Sequence, residues 1–314
     1  MISRLVFAGI LTAGTAGLAQ NRVRFEQSTE VFVERDRRGQ PHTGKVLAAI
    51  QPRSDDLPLF AAGTIIKLIR EGYTGILIRT TNVEMAGSGA TVGEVVLNNE
   101  KDNAAIARAM GLKKVYNLGY RNHMMEASLH NELRSRLVFI FRLMKVDTVI
   151  CYDPWATMKR IPTTTSLPKR LKRRVGWRAA NGTSRSTSML AYGRTRCLRS
   201  TTSRGPQLVN RAVDISSVID QKLETNMANV TQGPAGANGA ALRVRLAKRN
   251  LRLPLLGNDD DTANRAYIKH IVLDHDAEFG KKHGVHFAEG FHYIGPETSR
   301  LDQIIKKDAV PLSR

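Results

Sequence analysis

Lys45-Val-Leu-Ala-Ala-Ile-Gln-Pro-Arg-Ser-Asp-Asp-Leu-Pro-Leu-Phe-Ala-Ala-Gly63 is the stretch on which the reading of the chain turns. Val46 to Ile50 is an apolar run of the length of a buried strand. Gln51 to Ser54 is polar and leads to two adjacent acids, Asp55 and Asp56. Apolar and small residues then resume and predict a helix from about Leu59 to Glu71, closed by Gly72. Strand, loop and helix in this order are the unit of a parallel α/β sheet, whose ligands bind beyond the carboxyl ends of the strands. The two acids therefore have two readings. Asp before a helix satisfies free backbone N–H groups as an N-cap. Paired carboxylates in a ligand crevice serve a metal or act as a general base.

Outward from this stretch the alternation continues. Gly75 to Thr80 predicts a second strand and Met85 to Gly93 a mobile glycine-rich loop. Asn98 to Met110 predicts a helix, Lys114 to Leu118 a strand, Leu129 to Met144 an amphipathic helix, and Asp147 to Tyr152 a fourth strand. Later, Leu208 to Ile215 reads as a strand. A helix follows from Ser216 or Ser217 to about Asn229, and Ala240 to Asn250 is a basic helix. Ala263 to His283 is helical, and Val285 to Ile294 closes as a strand. The fold class is α/β, Rossmann-like, with a mostly parallel sheet and helices on both faces. Asp259, Asp260 and Asp261 lack the glycine frame and closing Glu of a calcium loop and read as solvated surface.

The formal charge of +20 is the signature of a protein for nucleic acid or anionic surfaces. It is concentrated, however. Ala156 to Ser203 holds 12 Lys or Arg and no Asp or Glu, and the rest of the chain carries 36 basic against 28 acidic residues. The segment shows neither helical nor strand periodicity, which predicts a poorly ordered stretch outside the core. Its aromatics are few, Trp177 and Tyr192, too few for base stacking. No nucleic-acid partner is expected. Of the two cysteines, Cys151 sits in an apolar strand pattern and Cys197 in the basic segment, and no metal or disulfide spacing joins them.

Met1 to Ala19 reads as a signal peptide. Arg4 precedes the apolar and small run Leu5 to Leu18, and Gly17-Leu18-Ala19 offers a cleavage site. A secreted or periplasmic protein follows, without a transmembrane segment once the signal is removed. Residues 20–44 are a polar extension expected to pack loosely. Residues 45–155 and 204–314 are the two halves of one domain, interrupted by 156–203.

Gln51-Pro52-Arg53-Ser54-Asp55-Asp56, with the strand before it and Ala61-Ala62-Gly63 after it, resembles the PIG-L/LmbE-like zinc-dependent N-deacetylases, whose signature is Ala-His-Pro-Asp-Asp-Glu. The likeness extends to Ile78-Arg79-Thr80-Thr81-Asn82, to Asn99-Glu100, to Leu118-Gly119-Tyr120-Arg121, to Val149 to Trp155, and to Val213-Asp214-Ile215. It implies zinc held by the signature His, the second Asp and a later His, and hydrolysis of N-acetylglucosamine-type substrates to acetate and a free amine. Asp55 falls on the general base and Asp56 on a zinc ligand. Arg79 and Asn82 fall where substrate would bind. Arg53 stands at the first ligand His, and a guanidinium has no lone pair for a metal. It should instead ion-pair with Asp55 or Asp56. Leu57 replaces the signature Glu.

The second metal motif should follow Asp153-Pro154-Trp155 and is missing. Ala156 to Ser166 could be encoded so that a reading frame one base earlier spells Gly-His-Tyr-Glu-Glu-Asp-Thr-Asp-His-Tyr-Val, which restores an Asp-His motif. Thr201-Thr202-Ser203 can likewise become Tyr-Tyr-Phe. Residues 156–203 thus read as translated out of frame between two compensating shifts. His123, His130 and His292 remain, but nothing in the sequence places them at the acid loop. Three functions stand: a deacetylase impaired at its metal site, a non-catalytic relative that binds sugar or protein, and binding of anionic surfaces through 156–203.

Overall fold

The computed structural model describes residues 31–122, 124–125, 130–152, 188–192, 209–232 and 236–294. In chain order the first half comprises β1 (Phe32–Glu34), β2 (Val46–Gln51), α1 (Asp56–Phe60), α2 (Ala62–Arg70), β3 (Thr74–Thr81), α3 (Val92–Ala109), β4 (Lys114–Tyr120), α4 (His130–Leu143) and β5 (Thr148–Tyr152). The second comprises β6 (Ser188–Tyr192), β7 (Arg211–Asp214), α5 (Ile219–Met227), α6 (Asn238–Ala247), α7 (Asp260–Tyr267), α8 (Asp274–Lys282) and β8 (Ala288–Ile294).

The strands form one sheet in the order β1-β7-β8-β6-β5-β2-β3-β4. Every pairing is parallel except those of β8, which runs antiparallel to β6 and β7. From β2 the chain moves outward through β3 and β4, then returns to lay β5 on the other side of β2. The strand order reverses there, and the carboxyl ends of β2 and β5 open the crevice in which such sheets bind ligands.

Both faces of the central strands are covered, which is why β2 and β5 read as unbroken apolar runs. Leu47, Ala49, Leu77 and Ile150 face Ile65 and Ile66 of α2 and Ile106 of α3. Ala48, Ile50, Ile76, Ile78 and Val149 face Leu133, Leu137, Ile140 and Phe141 of α4. α2 comes so close to the sheet's other half that a Cβ on Gly63 would lie 2.8 Å from the Ile215 side chain. A buried charge network fastens the second half and reaches α2 through Glu289. Lys222 of α5 is fully buried and reaches Asp276 of α8 at 2.5 Å and Glu289 of β8 at 2.7 Å. Glu289 in turn accepts from the buried N–H groups of Gly63 and Thr64, which have no partner inside the first turn of α2.

Several expectations need correction. The single helix Leu59 to Glu71 is two, broken at Ala61. α3 begins six residues before Asn98, because the Thr91 hydroxyl accepts from the Glu94 N–H while the Glu94 carboxylate takes the Ala90 N–H. The helix expected over Ala263 to His283 is interrupted by a π turn at Ile268–Val272. Part of the supposedly loose extension is ordered: β1 pairs with β7, and the buried Lys67 ammonium holds the Glu34 carbonyl. Within 156–203, residues Ser188–Tyr192 form β6 inside the sheet, between β5 and β8, so a strand stands where periodicity gave none. The rest of that segment, and the signal peptide, lie outside the described residues. No helix among the described residues is long and apolar enough to cross a membrane.

Candidate active site

The acid loop lies where the strand order reverses, and polar side chains of its neighbours fix it. Gln51 at the end of β2 donates to Asn103 at 2.7 Å and accepts from the Leu57 N–H at 3.1 Å. Ser54 donates to Asn99 at 2.9 Å and accepts from Asn103 at 2.8 Å. Thr81, closing β3, donates to the Pro52 carbonyl at 2.6 Å. The loop is therefore held from α3 and β3 at once. Asn99 and Asn103, one turn apart on α3, do this work from the helix's buried face.

Asp55 occupies the N-cap position of α1, but its side chain makes no capping bond. The capping reading therefore does not account for its carboxylate. Asp56 is fully buried, and both its oxygens are engaged. Oδ2 accepts from the Arg53 N–H at 3.0 Å. Oδ1 accepts from the Arg53 guanidinium at 3.2 Å and also from the Tyr152 hydroxyl at the end of β5. The Arg53 Nε lies 3.7 Å from Asp55 Oδ1. The guanidinium expected to choose one acid thus spans both. Asp56 first, with Asp55 and Tyr152 adding, pushes Arg53 further above its already high ordinary value, against the pull of burial. Burial, and then the charge of Asp56, raises Tyr152 well above its ordinary value, so the phenol stays protonated and donates.

The other predicted residues separate. Arg79 is 1% exposed and turns beneath α3 to meet Glu100 at 3.1 Å. Burial lowers its pKa and Glu100 opposes the shift. Asn82 lies just past β3, with its N–H on the Tyr120 carbonyl and a buried side-chain oxygen that has no partner among the described residues. The next residue, Val83, is buried with φ 59°, a strained conformation for a β-branched side chain. His292 is in β8, two strands from β5. His123 and the His130 side chain lie outside the described residues. Asp259 caps α7 by accepting from the Thr262 N–H, so the acid triplet is a helix start. Sequence reasoning missed Tyr152, Asn99 and Asn103 as site residues. The signal for the two asparagines was their i, i+4 spacing on a buried helix face. A cleft of about 630 Å³ lined by Arg35, Asp214, Lys281 and His286 lies at the β1–β7 edge and includes none of these residues.

These residues do not fit zinc. Arg53 offers no lone pair, and the oxygens of Asp56 are taken by Arg53 and Tyr152. A divalent ion on Asp56 and a guanidinium about 4 Å away would repel by roughly 8 kcal/mol at an effective dielectric of about 20. Among the described residues no three His, Cys, Asp or Glu gather. The segment 156–203 contains no Asp, Glu or His, and Cys197 is its single thiol.

Comparison with known proteins meets this geometry. The family model described as GlcNAc-PI de-N-acetylase, PIG-L, matches residues 48–160 and ends just inside the basic segment. The diacetylchitobiose deacetylase of Thermococcus kodakarensis is 26% identical over 113 residues, 35% of this chain and 42% of that protein. The chain thus spans less than half the length of this curated relative. Two solved structures share the fold. The N,N'-diacetylchitobiose deacetylase of Pyrococcus horikoshii superposes with a TM-score of 0.55 at 20% identity, over 80% of this chain and 84% of that one. The 4-carboxy-2-hydroxymuconate hydratase GalB of Pseudomonas putida does so at 0.52 and 14% identity, over 82% and 98%. A hydratase on this fold shows that the fold alone does not select the reaction. The family match over 48–160 covers the strand, acid loop and helix described above and about a third of the chain, and over that stretch the chain is similar to the PIG-L deacetylases.

Proposed function

We propose that this is an N-deacetylase site for N-acetylglucosamine-type sugars whose hydrolytic step is impaired by Arg53. The observation that carries the reading is the pair Asp55–Asp56 beyond the carboxyl end of β2, spanned by one guanidinium. Asp55 is the group placed to take a proton from water attacking the acetamide carbon and to return it to the departing amine. An oxyanion would form in that step and needs a cation or aimed donors. Arg53, turned onto the acids, is committed elsewhere. Asn82, whose buried side-chain oxygen has no partner among the described residues, suits a sugar hydroxyl, and Arg79 supports the wall beneath α3. The zinc typical of the family is not carried over to this chain, for the reasons of donor chemistry given above.

A second reading has the same support. With its acids neutralised internally, the crevice binds an acetamido sugar or a protein segment without turning it over. Export through the signal peptide at about residues 1–19 would place either activity outside the cytoplasm. Calorimetric titration with N-acetylglucosamine and its oligomers tests the shared claim. Saturable binding, weakened in Asn82→Ala, is expected. Absence of binding to any acetamido sugar sinks the deacetylase reading and the sugar-binding form of the second, and leaves only a protein or anionic partner.

A further inference from the structure

We propose that Arg53 is the resident cation of the acid loop: its guanidinium takes the position of a divalent metal with a single positive charge, and it closes the wild-type site to metal. The inference rests on the family reading of the loop and goes beyond the loss of one ligand. A missing ligand weakens a metal site, whereas a fixed cation in its place excludes the metal.

Three features hold Arg53 there. Its backbone N–H and its guanidinium bind different oxygens of Asp56, at 3.0 and 3.2 Å, so main chain and side chain clamp one carboxylate. Its Nε lies 3.7 Å from Asp55, so the same group faces the second acid. The Arg53 side chain is 12% exposed, and those of Asp55 and Asp56 are 2% and 0% exposed. Were the guanidinium to swing out, two adjacent buried carboxylates would lose the cation between them, which the low-dielectric interior opposes. Tyr152 adds a neutral donor to Asp56 Oδ1 from β5, so this oxygen is occupied on two sides. The anchoring of Ser54 by Asn99 and Asn103, and of Pro52 by Thr81, keeps position 53 aimed at the acids. A neutral ligand side chain at position 53 would leave the same loop with two carboxylates and a lone pair, a beginning of a zinc site.

Metal uptake without substrate tests this. Wild type, Arg53→Lys, Arg53→His and Arg53→His with Asp56→Asn are stripped with a chelator, equilibrated with zinc, desalted and analysed for metal per chain. Thermal melting with and without zinc is run alongside. Wild type and Arg53→Lys are expected to retain no stoichiometric zinc and to melt at the same temperature with or without it. Arg53→His is expected to bind zinc about tenfold or more tightly than wild type and to melt higher in its presence. The added Asp56→Asn should abolish the gain. One tightly held zinc per wild-type chain overturns the proposal. So does a folded Arg53→His that gains none, or an Arg53→Lys that loads as Arg53→His does, since charge would then not be the gate. Failure of the sugar reading is separate: it appears as absent sugar binding in every variant and leaves the pattern of metal uptake unchanged.

Discussion

Replacing Lys222 with Met should loosen α5 and α8 from β8 while keeping the length and apolar stem of the side chain. Lys222 is fully buried between Asp276 at 2.5 Å and Glu289 at 2.7 Å. Removing one partner of a buried ion pair costs about 3–5 kcal/mol, because the remaining charge is stranded. For a chain of this size that corresponds to a fall in Tm of roughly 6–20 °C. The loss depends on pH. One lysine serves two carboxylates, and burial raises Asp276 from 3.8 to about 7, with Glu289 adding and Lys222 opposing. Between about pH 4 and 7 the folded protein therefore holds a proton that the unfolded chain has released. The stability from this carboxyl is full below pH 4 and is lost as pH rises through 7, at up to about 1.4 kcal/mol per pH unit. In the Met variant the carboxyl must stay protonated still higher, so the deficit relative to wild type should be larger at pH 8 than at pH 5.5. Denaturant titrations at both values measure it. A Met variant within about 1 kcal/mol of wild type at pH 8 would falsify the claim that this network fastens α5 and α8 to β8.

Other expectations are simpler. Gly63→Ala should destabilise by about 1–3 kcal/mol in denaturant titration, since its Cβ would meet the Cβ and Cγ2 of Ile215 as well as its flexible tip. Tyr152→Phe removes a donor from a buried carboxylate and should cost about 1.5–3 kcal/mol, with little change in far-ultraviolet circular dichroism. Asn103→Ala frees Gln51 and Ser54 and should speed amide exchange in residues 51–57 before global unfolding does. The coding DNA across Ala156 to Ser203 should spell Gly-His-Tyr-Glu-Glu-Asp-Thr-Asp-His in the shifted frame, and codons that cannot spell it end that reading.

The parts of the fold with strong local signals were legible in the sequence. β2, the acid loop and the helix after it follow from an apolar run, a polar turn and small residues. α4 follows from its amphipathic period, within a residue at each end. The pairing of Arg53 with the acids followed from the chemistry of a guanidinium beside two carboxylates three residues away at most. Elements that depend on distant partners were not legible. β1 is three residues long and exists because β7 supplies its hydrogen bonds. β6 is set in a segment whose composition predicts no order, and it is a strand because β5 and β8 flank it. The π turn at Ile268–Val272 breaks a helix whose sequence pattern runs on without a stop signal. Lys222, Asp276 and Glu289 come from three elements, and no spacing announces their meeting. Tyr152 read as the last residue of a strand, and only the strand order brought its hydroxyl to Asp56.

The central claim is that the acid loop keeps the shape of a deacetylase site while Arg53 disables its hydrolytic step. Acetate release from N,N'-diacetylchitobiose, measured with zinc present and with Asp55→Asn as control, tests it most directly. The account predicts no acetate from the wild-type chain above that of the control. Repeated turnover by the wild type, lost in Asp55→Asn, would contradict it.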